Sequence, residues 1–272
     1  MLRPKRFWLP GEKVLNPGTF NVNELGLKLS KNPFKAAFAI WFGLWTAGVF
    51  IVLYPLIRLS LSTPKFYRFG HLLRRFWGKI LLWIGLIHVR QIFEEPLDTN
   101  RSYIIVPNHT SQLDIVTLTV KLKIFFNFMA KSELEKVPVF GIWFRTIDIA
   151  VDRKNARKAA ESYRKAVKWI DQGNSIVVFP EGTISNQVPK LIKFKDGPFK
   201  MAIEKQIDIL PVTIVGNWKV LPDQGIFEGK PGKVIQYIHK PISTKGLTFE
   251  DTSRVKDQVY QIINTKLQEY GY

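Results

Sequence analysis

The 272-residue sequence contains no cysteine. Its absence excludes disulfide-bonded scaffolds, thiolate zinc sites, iron–sulfur clusters and a cysteine nucleophile. Acidic residues are also scarce, because 22 Asp and Glu stand against 40 Lys and Arg, a formal net charge of +18. Hydrophobic residues make up 46% of the chain, which is enough for a buried core and excludes a disordered polymer. The charge balance favours an anionic partner or surface.

Positive charge and aromatic residues are concentrated in the first third of the chain. Residues 1–90 contain 14 Lys and Arg but only two acidic residues, together with 16 Phe, Trp and Tyr. Because this charge surrounds apolar segments and does not line a polar groove, we expect anionic membrane lipids as a partner and no nucleic acid. We therefore divide the chain into a basic membrane-anchoring region of two helices at 1–90 and a second domain at 91–272.

One segment of the N-terminal region is long and apolar enough to span a bilayer. Residues 36–57 carry no charge, and as a helix they would extend ~33 Å. Lysines precede the segment and Arg58, Lys65 and Arg68 follow it, so the flanking charges define no orientation. Cations on both flanks favour a membrane-embedded helical hairpin whose ends share one membrane face. The sequence leaves open whether the first helix crosses fully or dips and returns.

A second apolar stretch, at 76–89, is short for a span and follows a basic helical face. His71 and Arg75 lie one turn apart, opposite Leu73 and Trp77. This pattern predicts an amphipathic helix that lies in the headgroup region, with His71 on its basic interfacial face. The alternative is that both segments are core helices of a soluble protein.

Beyond residue 90, short runs of β-branched and aromatic residues alternate with helical periods. This alternation predicts an α/β fold, a single layered domain with a mixed sheet flanked by helices. Apolar residues at helical spacing predict a helix at 156–170 that Gly173 closes, and residues 251–269 form a last amphipathic helix. The predicted strands are 103–107, 124–130, 147–151, 175–179, 210–215 and 234–238.

His109 is the one histidine in a setting that suggests chemistry. It directly follows the predicted strand 103–107, and strand ends are where sites collect in α/β domains. Asp114 is five residues further on, which on one continuous helix would place the two about 140° apart, so the pair needs a turn. A loop leading into a helix near Asp114 would bring its carboxylate to one imidazole nitrogen and leave the other as a general base. The spacing alone is equally compatible with a histidine that caps a helix or packs.

A second polar loop, at 179–183, directly follows the predicted strand 175–179. Pro180 ends strand pairing, and Gly182 allows a ligand to approach the backbone closely. Glu181 and Thr183 offer a carboxylate and a hydroxyl. The alternative, a simple turn with a capping threonine, fits the composition but not the whole pentapeptide.

The two loops together resemble a known family. Asn108, His109 and Asp114, followed some seventy residues later by Phe-Pro-Glu-Gly-Thr at 179–183, resemble the glycerolipid acyltransferase family typified by 1-acylglycerol-3-phosphate acyltransferase.

Two further blocks of that family can be matched. Residues 141–153 resemble the block whose arginine, here Arg153, is held to bind the acceptor phosphate. Residues 209–212 resemble the proline-containing block that ends the signature. Four ordered blocks over roughly residues 90–220 are far more specific than any one of them.

The resemblance implies roles for the polar residues. His109 takes the proton from an acceptor hydroxyl, Asp114 supports the imidazole, and Glu181 and Gly182 help to hold the acceptor. The implied donor is an acyl thioester, either acyl-CoA or acyl carrier protein, and no further cofactor or metal is expected. Such a thioester needs no covalent enzyme intermediate when a base activates the hydroxyl directly.

The sequence departs from the family pattern at one position. The family usually places an arginine after Phe-Pro-Glu-Gly-Thr, where this chain has Ile184. A guanidinium fork for a phosphate is therefore missing there. Either Arg153 and Lys195 supply the anion contacts, or the acceptor is not a phosphate monoester.

We expect a membrane-bound acyltransferase whose active site faces the cytoplasm. The expected reaction acylates the sn-2 hydroxyl of lysophosphatidic acid to give phosphatidic acid. One alternative is an O-acyltransferase for a non-phosphate lysolipid, such as a lyso-ornithine-type aminolipid. The other is a catalytically silent membrane-binding module.

Overall fold

The described part of the chain contains one mixed sheet of seven strands. The structure, a computed structural model, describes residues 32–137, 139, 141–152, 155–223 and 228–272. The strand order is β1-β7-β6-β2-β5-β3-β4, and the five strands from β6 to β4 are parallel to one another. β7 is antiparallel to β6 and parallel to β1. The strands are β1 (Ile87–Phe93), β2 (Ile104–Pro107), β3 (Phe126–Lys131), β4 (Ile149–Val151), β5 (Ser175–Val178), β6 (Ile209–Val215) and β7 (Gly232–Ile238).

The mixed α/β sheet and all six predicted strands are confirmed, with ends that shift by at most two residues. β1 is a strand that the sequence analysis did not predict. Its first three residues are the last three of the apolar stretch at 76–89, and the strand continues directly beyond that stretch. The strand also continues across residue 90, where the sequence analysis divides the chain.

Helices cover both faces of the sheet. In β2, Ile104 and Val106 face one core with α5, α6 and α8, whereas Ile105 faces a second core with α3. This alternation follows from the two-residue period of a strand. The helices are α1 (Pro33–Ser60), α2 (Tyr67–Ile84), α3 (Leu113–Lys121), α4 (Gly141–Phe144), α5 (Ala156–Asp171), α6 (Gly197–Glu204), α7 (Asn217–Val220) and α8 (Thr252–Glu269).

The two helices predicted in the second region are confirmed as α5 and α8. Asn155 caps the start of α5, because its side chain accepts a hydrogen bond from the backbone N–H of Lys158 at 3.1 Å. Gly173 follows the helix with a φ of +79°, the left-handed conformation in which glycine carries no Cβ penalty.

The predicted N-terminal hairpin is present as α1 and α2, which pack against each other. α1 is 28 residues long, and only Phe50, Ile57 and Ser60 in it are buried. By length and composition it could cross a membrane, and it is the one described helix that passes this test. The indole N–H of Trp77 in α2 donates a hydrogen bond to the backbone carbonyl of Thr46 in α1 at 3.3 Å, which helps to hold the two helices together.

The face of α2 that turns outwards differs from the prediction. Leu73 and Trp77 pack against the protein, and His71, expected on a basic interfacial face, is only 2% exposed. The reason is that α2 packs against α3 and the sheet on this side. The opposite side exposes large apolar side chains, namely Phe69, Leu72, Phe76 and Trp83.

A buried polar cluster joins α2 to the sheet, and we call His71, Arg74 and Asp148 the α2–sheet cluster. The Arg74 guanidinium donates to Asp148 Oδ2 at 2.6 Å and to His71 Nδ1 at 2.9 Å. The backbone N–H of Phe128 donates to Asp148 Oδ1 at 2.9 Å. Burial raises the pKa of Asp148, and the Arg74 guanidinium opposes this shift.

Candidate active site

The two polar loops of the sequence lie side by side at the carboxyl edge of the sheet. β2 and β5 are adjacent and parallel, so the loops that follow them leave the sheet at the same edge. The chain after β2 enters α3 on one face, and the chain after β5 leads to α6 on the other face. Ligands of open α/β sheets bind in the crevice at such a point of divergence.

His109 and Asp114 form the predicted pair. His109 Nδ1 lies 2.9 Å from Asp114 Oδ2, and Asp114 is fully buried whereas the His109 side chain is 13% exposed. The pair forms because α3 begins at Leu113, so residues 108–112 form the turn that the five-residue spacing requires. An ionised aspartate accepts hydrogen bonds only, so Nδ1 of the neutral imidazole carries the proton and Nε2 carries the lone pair.

Backbone donors fix the Asp114 carboxylate. Its Oδ2 atom accepts hydrogen bonds from the backbone N–H groups of Thr110 at 2.7 Å and Ser111 at 3.0 Å. Asp114 lies in the first turn of α3, where the helix dipole also favours a negative charge. These hydrogen bonds fix the orientation of the carboxylate.

Asn108 fixes the start of the turn to the neighbouring strand. Its side-chain amide donates to the carbonyl of Ile214 at 3.0 Å, and its oxygen accepts from the N–H of Ile214 at 2.7 Å. The side chain thereby makes the two hydrogen bonds that a paired backbone residue would make. The loop before His109 is therefore held against β6.

Glu181, in the second loop, accepts hydrogen bonds from a backbone N–H group of the histidine loop and from one in the segment before α6. Its Oε1 accepts from the N–H of His109 at 2.8 Å, and its Oε2 accepts from the N–H of Ile192 at 3.2 Å. Burial raises the pKa of Glu181 to about 7, and the two backbone donors act against this rise. In the structure the Glu181 carboxylate holds the histidine loop, and its predicted role on the acceptor stays a prediction.

The ring of Phe179 stacks on the imidazole of His109, with the ring centroids 3.9 Å apart. Both side chains line a cavity of about 190 Å³ that also contains Gly182 and Thr183. Gly182 has a φ of +76°, so this position favours glycine on conformational grounds. The imidazole thus faces a small cavity and has the apolar ring of Phe179 against it.

Comparisons with known proteins show which family the chain resembles. The family described as Acyltransferase matches residues 88–215. A 1-acyl-sn-glycerol-3-phosphate acyltransferase of Saccharomyces cerevisiae is 33% identical over 205 residues, which are 73% of this chain and 66% of the yeast protein. One of Borreliella burgdorferi with the same name is 29% identical over 203 residues, 73% of this chain and 80% of that protein.

A solved structure shows the same fold. The crystal structure of the 1-acyl-sn-glycerophosphate (LPA) acyltransferase PlsC from Thermotoga maritima superimposes with a TM-score of 0.73 at 26% identity, and covers 88% of this chain and 96% of that one. The chain belongs to the glycerolipid acyltransferase family. It spans less than two thirds of the length of several curated relatives that it matches.

The family residues predicted to bind the acceptor are distributed around the site. Thr183 and Ile184 line the cavity of His109, so the position where the family usually has arginine contributes an apolar side chain. Lys195 lines a neighbouring apolar cavity of about 320 Å³, which shares Met129 and Phe179 with the first. Arg153 lies outside the described residues.

Sequence reasoning missed two residues of this site. Lys131 ends β3 and lines the cavity of His109, where its ammonium group is suited to an anionic acceptor. It is the first residue after the predicted strand 124–130, so its position at a strand end was the available signal. Asn217 lies 103 residues further along the chain and donates to Asp114 Oδ1 at 2.7 Å. No local sequence pattern predicts such a contact.

Proposed function

We propose that this protein transfers a fatty acyl group from a thioester to the sn-2 hydroxyl of lysophosphatidic acid and produces phosphatidic acid. The observation that carries the proposal is the hydrogen bond of 2.9 Å between His109 Nδ1 and buried Asp114, which leaves Nε2 to act as a base at a cavity. The names of the yeast, Borreliella and Thermotoga relatives support the same reaction.

The proposed step is direct transfer. Nε2 of His109 takes the hydroxyl proton while the hydroxyl oxygen attacks the thioester carbonyl carbon. Collapse of the tetrahedral intermediate breaks the carbon–sulfur bond, and the imidazolium returns its proton to the departing thiolate. Asp114 keeps the imidazole in the required tautomer and stabilises the imidazolium. Histidine is thereby regenerated, and an ester and a free thiol are the products.

Two described residues in the lining of the cavity bear on the identity of the acceptor, a lysine and the isoleucine that stands where the family usually has arginine. Lys131 supports a phosphate-bearing acceptor, since a Lys ammonium is a point donor that phosphate accepts well. Ile184 favours the second candidate, a non-phosphate lysolipid such as a lyso-ornithine-type aminolipid. We propose the phosphate acceptor first, with Lys131, Arg153 and Lys195 as its anion contacts and Thr183 as a hydroxyl partner.

The proposed donor is acyl-CoA or acyl-acyl carrier protein. An apolar cavity of about 300 Å³ lies between α1, α2 and α3 and is lined in part by Phe42, Leu81 and Val116. Gln112, which precedes α3, lines both this cavity and the cavity of His109. An alkyl chain suits such walls, because burial of apolar surface stabilises by roughly 25 cal/mol per Å².

We further propose that the hairpin of α1 and α2 holds the protein on a membrane with the active site facing the cytoplasm. α1 exposes Trp41, Leu44 and Trp45, and α2 exposes Phe76 and Trp83, an apolar surface unusual for a soluble domain. Neighbouring cations would strengthen binding to anionic lipids by ~1 kcal/mol each. Both the lysolipid and the product reside in the bilayer, so the docked site meets them there.

The test is a competition between lysolipids. Purified protein in vesicles receives equal amounts of lysophosphatidic acid and lyso-ornithine lipid. The donor is either acyl-CoA or acyl-acyl carrier protein, and its acyl group is radiolabelled. We expect labelled phosphatidic acid as the main product. Label in the aminolipid alone would establish the second candidate, and no transfer with any pairing would leave a membrane-binding module.

Lys131→Ala is the matched variant for this test. If Lys131 contacts the acceptor phosphate, the variant raises KM for lysophosphatidic acid and leaves KM for the thioester unchanged. Lys168→Ala, a lysine in α5 remote from the lining of this cavity, serves as the control for the loss of one positive charge.

A further inference from the structure

A segment 103 residues beyond Asp114 contributes to the catalytic pair. β6 ends at Val215, and Gly216 follows with a φ of +93°, which turns the chain into the short helix α7. Asn217 is the first residue of α7, and its side chain is fully buried against α3. The turn therefore places an amide group beneath the histidine loop.

The Asn217 amide donates one hydrogen bond to the catalytic pair and one to Thr117 beside it. Its Nδ2 atom lies 2.7 Å from Asp114 Oδ1 and 3.1 Å from the hydroxyl oxygen of Thr117. The reverse orientation of the amide would place its oxygen against a carboxylate oxygen, two acceptors with no proton between them. The chemistry of the partners thus fixes which end of the amide faces Asp114.

The other contacts of Asp114 show what this bond adds. Oδ2 accepts from His109 Nδ1 and from two backbone N–H groups, so three donors hold this oxygen. Oδ1 receives the Asn217 bond and a longer one, of 3.3 Å, from the Thr110 hydroxyl. Asn217 therefore supplies the shorter of the two bonds to Oδ1, and it adds to the restraint that the donors on Oδ2 place on the carboxylate.

We propose that Asn217 is a positioning residue for the acyl transfer, which holds the Asp114 carboxylate so that Oδ2 keeps the proton of His109 on Nδ1. The proposal rests on the proposed function, since it assigns to Asn217 an effect on the base of that reaction. An imidazole without such a partner prefers the other tautomer, in which Nε2 carries the proton and cannot accept one from the acceptor.

Asn127→Ala is the matched control for Asn217→Ala. Asn127 is also fully buried, and its amide donates to the carbonyl of Ile147 at 2.9 Å without contacting the catalytic pair. Both variants remove a buried amide and leave a similar space. A difference between them therefore reports the contact with Asp114 and not the loss of a buried hydrogen bond.

The experiment measures kcat, KM and the His109 tautomer in both variants. In protein labelled with ¹⁵N-histidine, the His109 signals are assigned by their absence in His109→Ala. We expect Asn217→Ala to lower kcat by about 10 to 100-fold, as the loss of a partner that orients a functional histidine does. KM for the lysolipid should stay within about twofold, and the Nε2–H tautomer should appear.

We expect Asn127→Ala to leave kcat and the His109 tautomer unchanged. If Asn217→Ala matches this control in both readouts, or raises KM in step with the fall in kcat, the positioning role is wrong. Asn217→Leu keeps a branched side chain of similar shape but removes the donor, so it decides the question if the alanine variant does not fold, and its kcat should fall by a similar factor. The tautomer measurement needs no substrate, so it tests Asn217 even if lysophosphatidic acid is not the acceptor.

Discussion

The active site and the α2–sheet cluster contain the same kinds of groups but differ in one respect. In both, a buried aspartate lies near an imidazole, yet in the α2–sheet cluster the Arg74 guanidinium stands between Asp148 and His71. All three side chains there are at most 5% exposed. At the active site His109 contacts Asp114 directly and lines a cavity.

Two features distinguish what the clusters can do, namely the permanent cation Arg74 in one and the access of His109 to a cavity in the other. A guanidinium stays protonated, so Arg74 compensates the charge of Asp148 at all times and donates to a neutral His71. Such a cluster holds α2 on the sheet and exchanges no proton. In the proposed mechanism the imidazole of His109 takes the proton instead, at a cavity that a substrate can enter.

The largest expected effect separates the two histidines by activity. We expect His109→Ala to lower acyl transfer by about 10²- to 10⁴-fold, because it removes the base. His71→Ala should retain activity within about threefold, since His71 is sealed from substrate. Transfer of label to the lysolipid measures both, and thermal unfolding of His109→Ala should match the unchanged protein. Equal losses in both variants would contradict the comparison.

The next largest effect concerns stability. We expect Arg74→Met to lower the free energy of unfolding by about 3 to 5 kcal/mol, because it leaves the Asp148 carboxylate buried without its cation. Denaturant unfolding in detergent micelles measures this change. The double variant Arg74→Met with Asp148→Asn should regain a large part of it, since the uncompensated charge is then gone. A double variant as unstable as the single one would show that the charge is not the cause.

A third effect depends on pH. Burial raises the pKa of Glu181 from 4.5 to about 7, so the folded state holds this proton more tightly than the unfolded state does. The stability that the protonated group contributes is present below pH 4.5 and is lost as the pH rises towards 7.

Glu181→Gln tests this dependence because it removes the titration. We expect the difference in free energy of unfolding between the unchanged protein and the variant to shift by on the order of 3 kcal/mol between pH 4.5 and 7, with the unchanged protein losing stability. Unfolding curves at several pH values measure the difference. A difference that stays constant over this range, or grows in the other direction, would contradict the raised pKa.

The smallest expected effect uses an exposed ion pair that also joins the hairpin to the domain. Lys35 Nζ lies 2.7 Å from Glu228 Oε2, and both side chains are more than a third exposed. We expect Glu228→Gln to change the free energy of unfolding by less than about 1 kcal/mol, and the change to shrink further in high salt. A loss as large as that of Arg74→Met would mean that burial does not distinguish the two connections.

The sequence predicted the elements whose signal is local. Buried parallel strands such as β2 and β5 are continuous apolar runs, and the turn at His109 follows from a five-residue spacing that no single helix satisfies. The faces of α2 could not be predicted, because Arg74 is buried only through its partner Asp148, 74 residues away. Asn217 was missed for the same reason, since its meaning depends on a tertiary contact with Asp114.

For Glu181, the motif predicted the position of the residue but not its hydrogen-bond partners. The pentapeptide predicted a polar loop at a strand end that carries Glu181, and in the structure the Glu181 carboxylate accepts a hydrogen bond from the N–H of His109. That both oxygens accept from backbone N–H groups depends on the path of the chain near Ile192, which no motif describes.

Direct transfer by His109 is tested most directly by thiol release without an acceptor. Excess enzyme is mixed with acyl thioester in a rapid-quench apparatus, first without and then with lysophosphatidic acid. We predict no burst of thiol until the lysolipid is added, and no release in His109→Ala under either condition. A burst equal to the enzyme concentration before any lysolipid is present would reveal an acyl-enzyme and contradict the role of His109 as the base.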